Sequence, residues 1–417
     1  MAQILFAWEL GSGLGHAGRL VPLANELARR GHGVALSLLD LVGTHSMLRE
    51  FPHPCLQAPV LLHGRVPIRD PMSLAEILQG CGYHDAHTLE ALVRGWRDTL
   101  ACARADLLVA DYAPTALLAA RTLRIPSVSA GLGFEMPPIG RPLPSLRPWE
   151  PVAPGRLEAA EAHVVRTAGR VLQRYGSPPL AEGWQLFAGG RSLLCEWPEL
   201  DCYARGALPA GERWHGRGFH AGGGEAPRWP EGGGPRVFAY LKGAHPDVPA
   251  VLRALAARGC RTLCFMPDVE SGKPAPVVDA SIRYSDGPVD LASVLRECDL
   301  AVCHAGGGTV AQSLLAGVPL LLMPRQNEQG LNALGVVRMR AGVAAFPQPK
   351  PFDYRAALAA LLDDGTARAA ARAFAANHRD FSNARQTLDL CDAIESAARS
   401  GGGAAAASTE GPASAGG

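Results

Sequence analysis

Lysine is almost missing from this chain: of 40 basic residues only Lys242, Lys273 and Lys350 are lysines, and the arginines are scattered among alanines and glycines. The net charge is +1, so no basic surface is expected and nucleic acid is not among the partners the composition suggests. Cysteine motifs are lacking too. The ten cysteines, at 55, 81, 102, 195, 202, 260, 264, 298, 303 and 391, form no Cys-x-x-Cys pair and no zinc-like spacing. Reduced thiols in a cytoplasmic protein, and no metal centre, are therefore expected. No apolar run reaches the length of a membrane span, and the N-terminus enters a strand at Ile4 to Trp8 without a basic leader, which argues against an integral membrane segment.

A length of 417 residues suits two domains of about 200 residues each. A hydrophobic fraction of 47% is enough to fill both cores. The texture changes between Glu196 and Gly234, where Gly and Pro recur. This divides the chain into an N-terminal Rossmann-like domain (1–205), a linker region (206–235) and a second Rossmann-like domain (236–376). A C-terminal helix (377–398) is expected to cross back to the first domain, and a Gly/Ala/Ser tail (399–417) to be disordered.

The most informative stretch is His304-Ala305-Gly306-Gly307-Gly308-Thr309. An apolar run, Leu300 to Cys303, precedes it, and helical spacing from Val310 follows as far as Gly317. A strand, then glycines, then a helix is an order that binds anions. Glycines let the main chain approach a ligand closely, and the free N–H groups and dipole of a helix start favour a diphosphate. Thr309 adds a hydroxyl and His304 a candidate donor. Beyond a second buried-looking strand, Pro319 to Met323, Glu328 and Gln329 supply the acceptor and the mixed donor–acceptor that grip adjacent sugar hydroxyls.

The N-terminal half opens in the same style. Gln3 to Trp8 is followed by Gly11, Gly13, Gly15 and His16, then by a helix closed at Gly31 and a strand from Val34. The Gly-x-Gly-x-x-Gly of nicotinamide-binding proteins fails here, because His16 occupies the third position counted from Gly11. Asp40 at the end of the second strand keeps that alternative open. Further on, Ala105 to Asp111 is a strand ending in a carboxylate, with a helix over Pro114 to Leu123 and a strand over Pro126 to Ala130. His84 and His87, three residues apart on a helix, lack a third ligand and are assigned to the surface or an acceptor pocket.

These motifs resemble those of the family 1 glycosyltransferases, the UDP-glucosyl/glucuronosyltransferase-like enzymes of GT-B fold. His304, Gly306, Gly307, Gly308, Thr309, Gly317, Pro319, Glu328, Gln329, Asn332 and Ala333 match the family's donor signature. Ala305 departs from it mildly, standing where glycine or a small residue is usual, and Arg19 stands where the N-terminal loop usually has proline. The resemblance implies an α/β fold with two Rossmann-like domains facing across a cleft. It also implies a UDP- or dTDP-sugar donor, a hydroxyl-bearing acceptor and no further cofactor. His16 would be the catalytic base and Asp111 its orienting carboxylate. Gly15, Val289, His304, Gly306, Gly307, Gly308, Thr309, Glu328 and Gln329 would bind the donor, Val289 lying in the nucleobase loop, where Asp290 replaces the usual Gln or His. Arg19, Trp96 and Phe134 are acceptor-side candidates, although core packing explains the aromatics equally well. No Asp-x-Asp triplet occurs, so metal-independent, inverting transfer is expected. A same-fold transferase acting on a lipid-linked or cell-envelope acceptor, and an inactive nucleotide-sugar-binding relative, are the alternatives.

Overall fold

The computed structural model describes residues 1–62, 68–219, 223–346 and 350–407. It divides into two compact units, one comprising 1–197, 205–216 and 382–417, the other 198–204 and 217–381.

The first unit is an α/β sandwich around six parallel strands. Its elements are β1 (Gln3–Trp8), α1 (Gly15–Arg29), β2 (Gly33–Leu38), α2 (His45–Leu48), β3 (Cys55–Gln57), α3 (Leu74–Leu78), α4 (Ala86–Cys102), β4 (Leu107–Asp111), α5 (Pro114–Leu123), β5 (Ser127–Gly131), α6 (Arg156–Arg174) and β6 (Arg191–Leu194). The strand order is β3-β2-β1-β4-β5-β6. β1 and β4 are buried along almost their whole length and read as continuous apolar runs, as central parallel strands covered on both faces must. The chain reverses direction across the sheet between them, where Trp8 is in register with Asp111. Ligands of open parallel sheets bind at such a switch point, beyond the strands' carboxyl ends.

The second unit repeats the plan. β7 (Arg236–Tyr240), α7 (Val248–Ala257), β8 (Arg261–Phe265), α8 (Pro267–Glu270), β9 (Ile282–Tyr284), α9 (Leu291–Glu297), β10 (Leu300–Cys303), α10 (Gly307–Leu315), β11 (Leu320–Leu322), α11 (Asn327–Arg338), β12 (Gly342–Ala344), α12 (Tyr354–Leu362) and α13 (Thr366–Asn377) build a parallel sheet of order β12-β11-β10-β7-β8-β9. Its switch point lies between β10 and β7, with Cys303 opposite Tyr240. Residues 198–204 belong here: Arg338 donates to the Asp201 carbonyl at 2.6 Å, and His378 meets Glu199 at 3.0 Å.

The Gly/Pro-rich stretch expected as a linker over 206–235 is shared between the units. Residues 205–216 go with the first, where the His215 N–H donates to the Leu194 carbonyl at 3.0 Å, and the chain from Arg217 goes with the second. The last helix, α14 (Asn383–Ala407), returns to the first unit. Its Leu390, Cys391, Ala393 and Ile394 join the core formed by α1 and the sheet, and Arg30 pairs with Asp392 at 2.6 Å. The helix runs into the segment expected to be disordered, and residues 408–417 lie outside the described residues. Among the described residues no helix is long and apolar enough to cross a membrane.

Candidate active site

At the first switch point the loop from Glu9 to Leu14 delivers His16 to the first turn of α1. The His16 Nδ1 lies 2.9 Å from Oδ1 of Asp111, at the end of β4. A carboxylate only accepts, so Nδ1 carries the hydrogen and Nε2 presents its lone pair. The imidazole stacks on Trp8, with centroids 4.8 Å apart, and Trp8 is fixed by its Nε1–H donating to the Leu10 carbonyl at 2.6 Å. Tyr112 faces the ring at 6.4 Å. Gly11 has φ +88°, and a Cβ there would lie 2.6 Å from Nε2. Only glycine lets the loop pass this close to the histidine.

Two more charges complete the cluster. Nη1 of Arg19 lies 2.8 Å from Asp111 Oδ2 and 3.0 Å from Glu135 Oε2, and Glu135 Oε1 lies 3.7 Å from His16 Nδ1. All four side chains are buried or nearly so. Burial opposes charge on His16, but the Asp111 carboxylate and its hydrogen bond, with Glu135, outweigh it and raise the imidazole above its ordinary value. His16, Asp111 and Glu135 each place a ligand-type atom within 4.8 Å of one another. The cation bridging the two carboxylates is a guanidinium. Nearby, Glu9 caps α5, accepting from the Thr115 N–H at 2.8 Å and its hydroxyl at 2.5 Å, and burial pushes its carboxyl up to about 7.

At the second switch point the glycine run forms the strand-to-helix turn that its composition suggests. Gly306 caps α10 without any side-chain hydrogen bond, leaving the N–H groups of Gly307, Gly308 and Thr309 open to an anion. His304, expected as a donor to that anion, is committed elsewhere. Its Nδ1–H donates to the Met323 carbonyl at 2.7 Å, and its Nε2 accepts the Lys242 N–H at 2.9 Å. Burial, with His245, Arg325 and Lys242 nearby, lowers it to about 4. It is a neutral tie between the ends of β7, β10 and β11, with no N–H left for a phosphate.

Ala305 takes the left-handed backbone at φ +60°, a conformation that glycine adopts without strain. The turn is held from behind: Asn332 Nδ2 donates to the Ala305 carbonyl at 3.1 Å, and buried Arg217 donates to Asn332 Oδ1 at 3.1 Å. Glu328 and Gln329 lie in the first turn of α11, and Gln329 Oε1 accepts the Arg325 N–H at 2.9 Å. Val289 forms a parallel bridge with Glu225. Glu225 bonds the Pro288 carbonyl and the Asp290 N–H, each at 2.8 Å, so the main-chain groups of Val289 itself face away from that bridge. Asp290 caps α9 through Ser293. A cavity of about 570 Å³ opens beside His304, whose ring stacks on that of His245, and is lined by His245, Asp247, Arg325, Phe346, Lys350 and Phe352 among others.

Of the acceptor-side candidates, Phe134 lies beside Tyr112 at 6.0 Å and is slightly exposed. Trp96 is fully buried on α4 and cannot touch an acceptor; its indole belongs to the core. Arg19 has its charged head held by Asp111 and Glu135 rather than offered to a ligand. Gly15 opens α1, with nothing near the position of a Cβ. The sequence reading missed Glu135, Arg217 and the close approach of Gly11. Only the positive-φ glycine had a signal in the sequence, as one of a cluster after a strand.

Comparison with known proteins bears on the fold and on the second unit. Residues 268–383 match the family model described as Erythromycin biosynthesis protein CIII-like, C-terminal domain. The elloramycin glycosyltransferase ElmGT of Streptomyces olivaceus is 31% identical over 120 residues, 24% of this chain and 31% of that protein. The UDP-N-acetylglucosamine--N-acetylmuramyl-(pentapeptide) pyrophosphoryl-undecaprenol N-acetylglucosamine transferase of Thiobacillus denitrificans is 40% identical over 91 residues, 22% of each chain. The chain thus matches less than a third of either relative's length. Solved structures match nearly throughout. The glycotransferase of kitacinnamycin gives a TM-score of 0.67 at 20% identity, covering 95% of this chain and 98% of that one. The calicheamicin glycosyltransferase CalG4 gives 0.67 at 19%, with the same coverage. The glycosyltransferase VinC in complex with dTDP gives 0.65 at 16%, covering 95% and 99%. At these identities the likeness establishes the fold.

Proposed function

Because the chain has the GT-B fold and carries an EryCIII-like C-terminal domain over residues 268–383, we propose that it is a glycosyltransferase. It moves a sugar from a nucleoside-diphosphate sugar, with UDP or dTDP as the nucleotide, to a hydroxyl of a small natural-product acceptor. The observation that carries this reading is the His16–Asp111 pair, whose hydrogen bond leaves Nε2 as a base. The acceptor hydroxyl gives its proton to Nε2, its oxygen bonds the sugar's anomeric carbon, and the bond from that carbon to the diphosphate breaks. The nucleoside diphosphate departs with the electron pair, and His16 later returns its proton to solvent.

The open N–H groups of Gly307, Gly308 and Thr309 stabilise the departing charge, and Glu328 and Gln329 hold the sugar. Single displacement by a deprotonated alcohol inverts the anomeric centre. No metal ion is invoked, since the leaving group is met by the α10 terminus and the buried carboxylates already hold a guanidinium. The dTDP in the VinC structure supports that donor class. Sequence relatives of both acceptor classes match only short segments, and the EryCIII-like match over 268–383, with natural-product enzymes among the structures that share the fold, favours a small soluble acceptor met in the cytoplasm.

A thermal-shift panel of UDP, dTDP and their sugars identifies the donor, because stabilisation grows with ligand excess over Kd. With that donor, His16→Ala is expected to lose about 10²- to 10⁴-fold in transfer while donor affinity stays within a few-fold. Unchanged turnover removes His16 from the mechanism.

A further inference from the structure

His16 and Arg19 lie three residues apart on α1, on the face turned to the end of β4 and to the tight turn Gly133–Glu135 after β5. Asp111 is divided between them, Oδ1 to His16 and Oδ2 to Arg19. Glu135 is fixed independently: its Oε2 accepts the Leu132 N–H at 2.7 Å, and a Cβ on Gly131 would come within 2.5 Å of that oxygen. Arg19 is also the residue at which the N-terminal loop departs from the glycosyltransferase pattern.

The charge count gives the arrangement its meaning. An arginine paired with Asp111 cancels the negative charge that an imidazolium needs for support, and burial makes that loss serious. Glu135 brings it back. With His16 neutral, the buried group of Asp111, Glu135 and Arg19 carries one net negative charge, and protonation of His16 brings the cluster to neutrality. These three are the charges that act most strongly on His16. Trp8 and Tyr112 contribute uncharged rings. Cys195 beside Arg19 stays a thiol, pushed up to about 12 by burial, and Glu196 acts on that thiol.

We propose that Arg19 and Glu135 are positioning residues that work as a compensating pair: the guanidinium locks the orienting carboxylate of Asp111, and Glu135 restores the charge this lock removes. The role rests on His16 being the base of the proposed transfer, but its test needs no substrate. The His16 titration is followed by NMR in the full-length protein labelled at histidine, with His16→Asn supplying the assignment.

Glu135→Gln is expected to lower the His16 midpoint by about one pH unit or more, and Arg19→Met to raise it by a similar amount. The double variant is expected to return it close to the wild-type value. If both single variants leave the midpoint in place, shift it in the same direction, or fail to compensate when combined, the proposal is overturned. Near-UV circular dichroism checks folding. Should Arg19→Met not fold, Arg19→Lys must keep the wild-type titration while Glu135→Gln still lowers it, and any other result also overturns the proposal. A protein that transfers no sugar can still show these shifts, so failure of the functional reading and failure of this one are told apart.

Discussion

His16 and His304 are the same residue type, each 7% exposed, each just beyond the carboxyl end of a central parallel strand, and their chemistry is opposite. His16 sits among carboxylates, its pKa is raised, and one nitrogen carries a lone pair that no described residue takes up. His304 has both nitrogens tied to main chain, and burial, with His245, Arg325 and Lys242 nearby, holds it neutral. Position in the fold brings a histidine to the switch point. The partners of its two nitrogens decide whether it acts as a base or as a strut.

Disturbing either histidine's surroundings sharpens the contrast. The larger effect is expected at Gly11→Ala. The new methyl must displace the His16 ring, and a displacement near 1 Å is expected to reduce turnover by about 10²-fold, with donor affinity unchanged in a titration of the nucleoside diphosphate. Weaker donor binding with full turnover would mean that Gly11 belongs to the donor site. A smaller effect is expected at Gly307→Ala in the other unit, where a Cβ would lie 2.8 Å from Nη1 of buried Arg217. The turn or the guanidinium behind it must shift, so nucleoside-diphosphate affinity should fall about tenfold while the saturated rate changes little. A loss confined to the saturated rate would contradict the cradle's assignment to donor binding.

The sequence disclosed the central strands and the glycine turns, because both depend on local signals. β1, β4 and β10 are apolar runs bounded by turn residues, and α5 starts at Pro114 and stops at Leu123 because proline opens it and Arg124 is left-handed, at φ 57°. The short edge strands β3, β6 and β12 were not legible: three or four residues with one neighbour each carry too little apolar pattern. Arg217 was hidden by composition. Its Gly/Pro-rich surroundings read as a linker, yet its side chain is buried behind the cradle. The charge network around His16 joins α1, the end of β4 and the turn after β5, and no spacing rule connects residues 16, 19, 111 and 135. Ala305 was visible as a departure from the glycine pattern, and the backbone angle supplies its meaning.

The division of labour between the two histidines is tested most directly by the pH dependence of transfer in wild type and in His304→Asn, each with saturating donor. A base must be neutral to accept a proton, so the rate should fall as pH drops through the pKa of His16, which the Asp111 and Glu135 carboxylates raise above its ordinary value. His304, at about 4, is already neutral across pH 5 to 8 and should contribute no limb there. The account predicts that the variant keeps the acid limb at the wild-type pH, even if the donor KM rises. An acid limb that moves or disappears in His304→Asn would show that the strut titrates in the reaction, and would contradict the account.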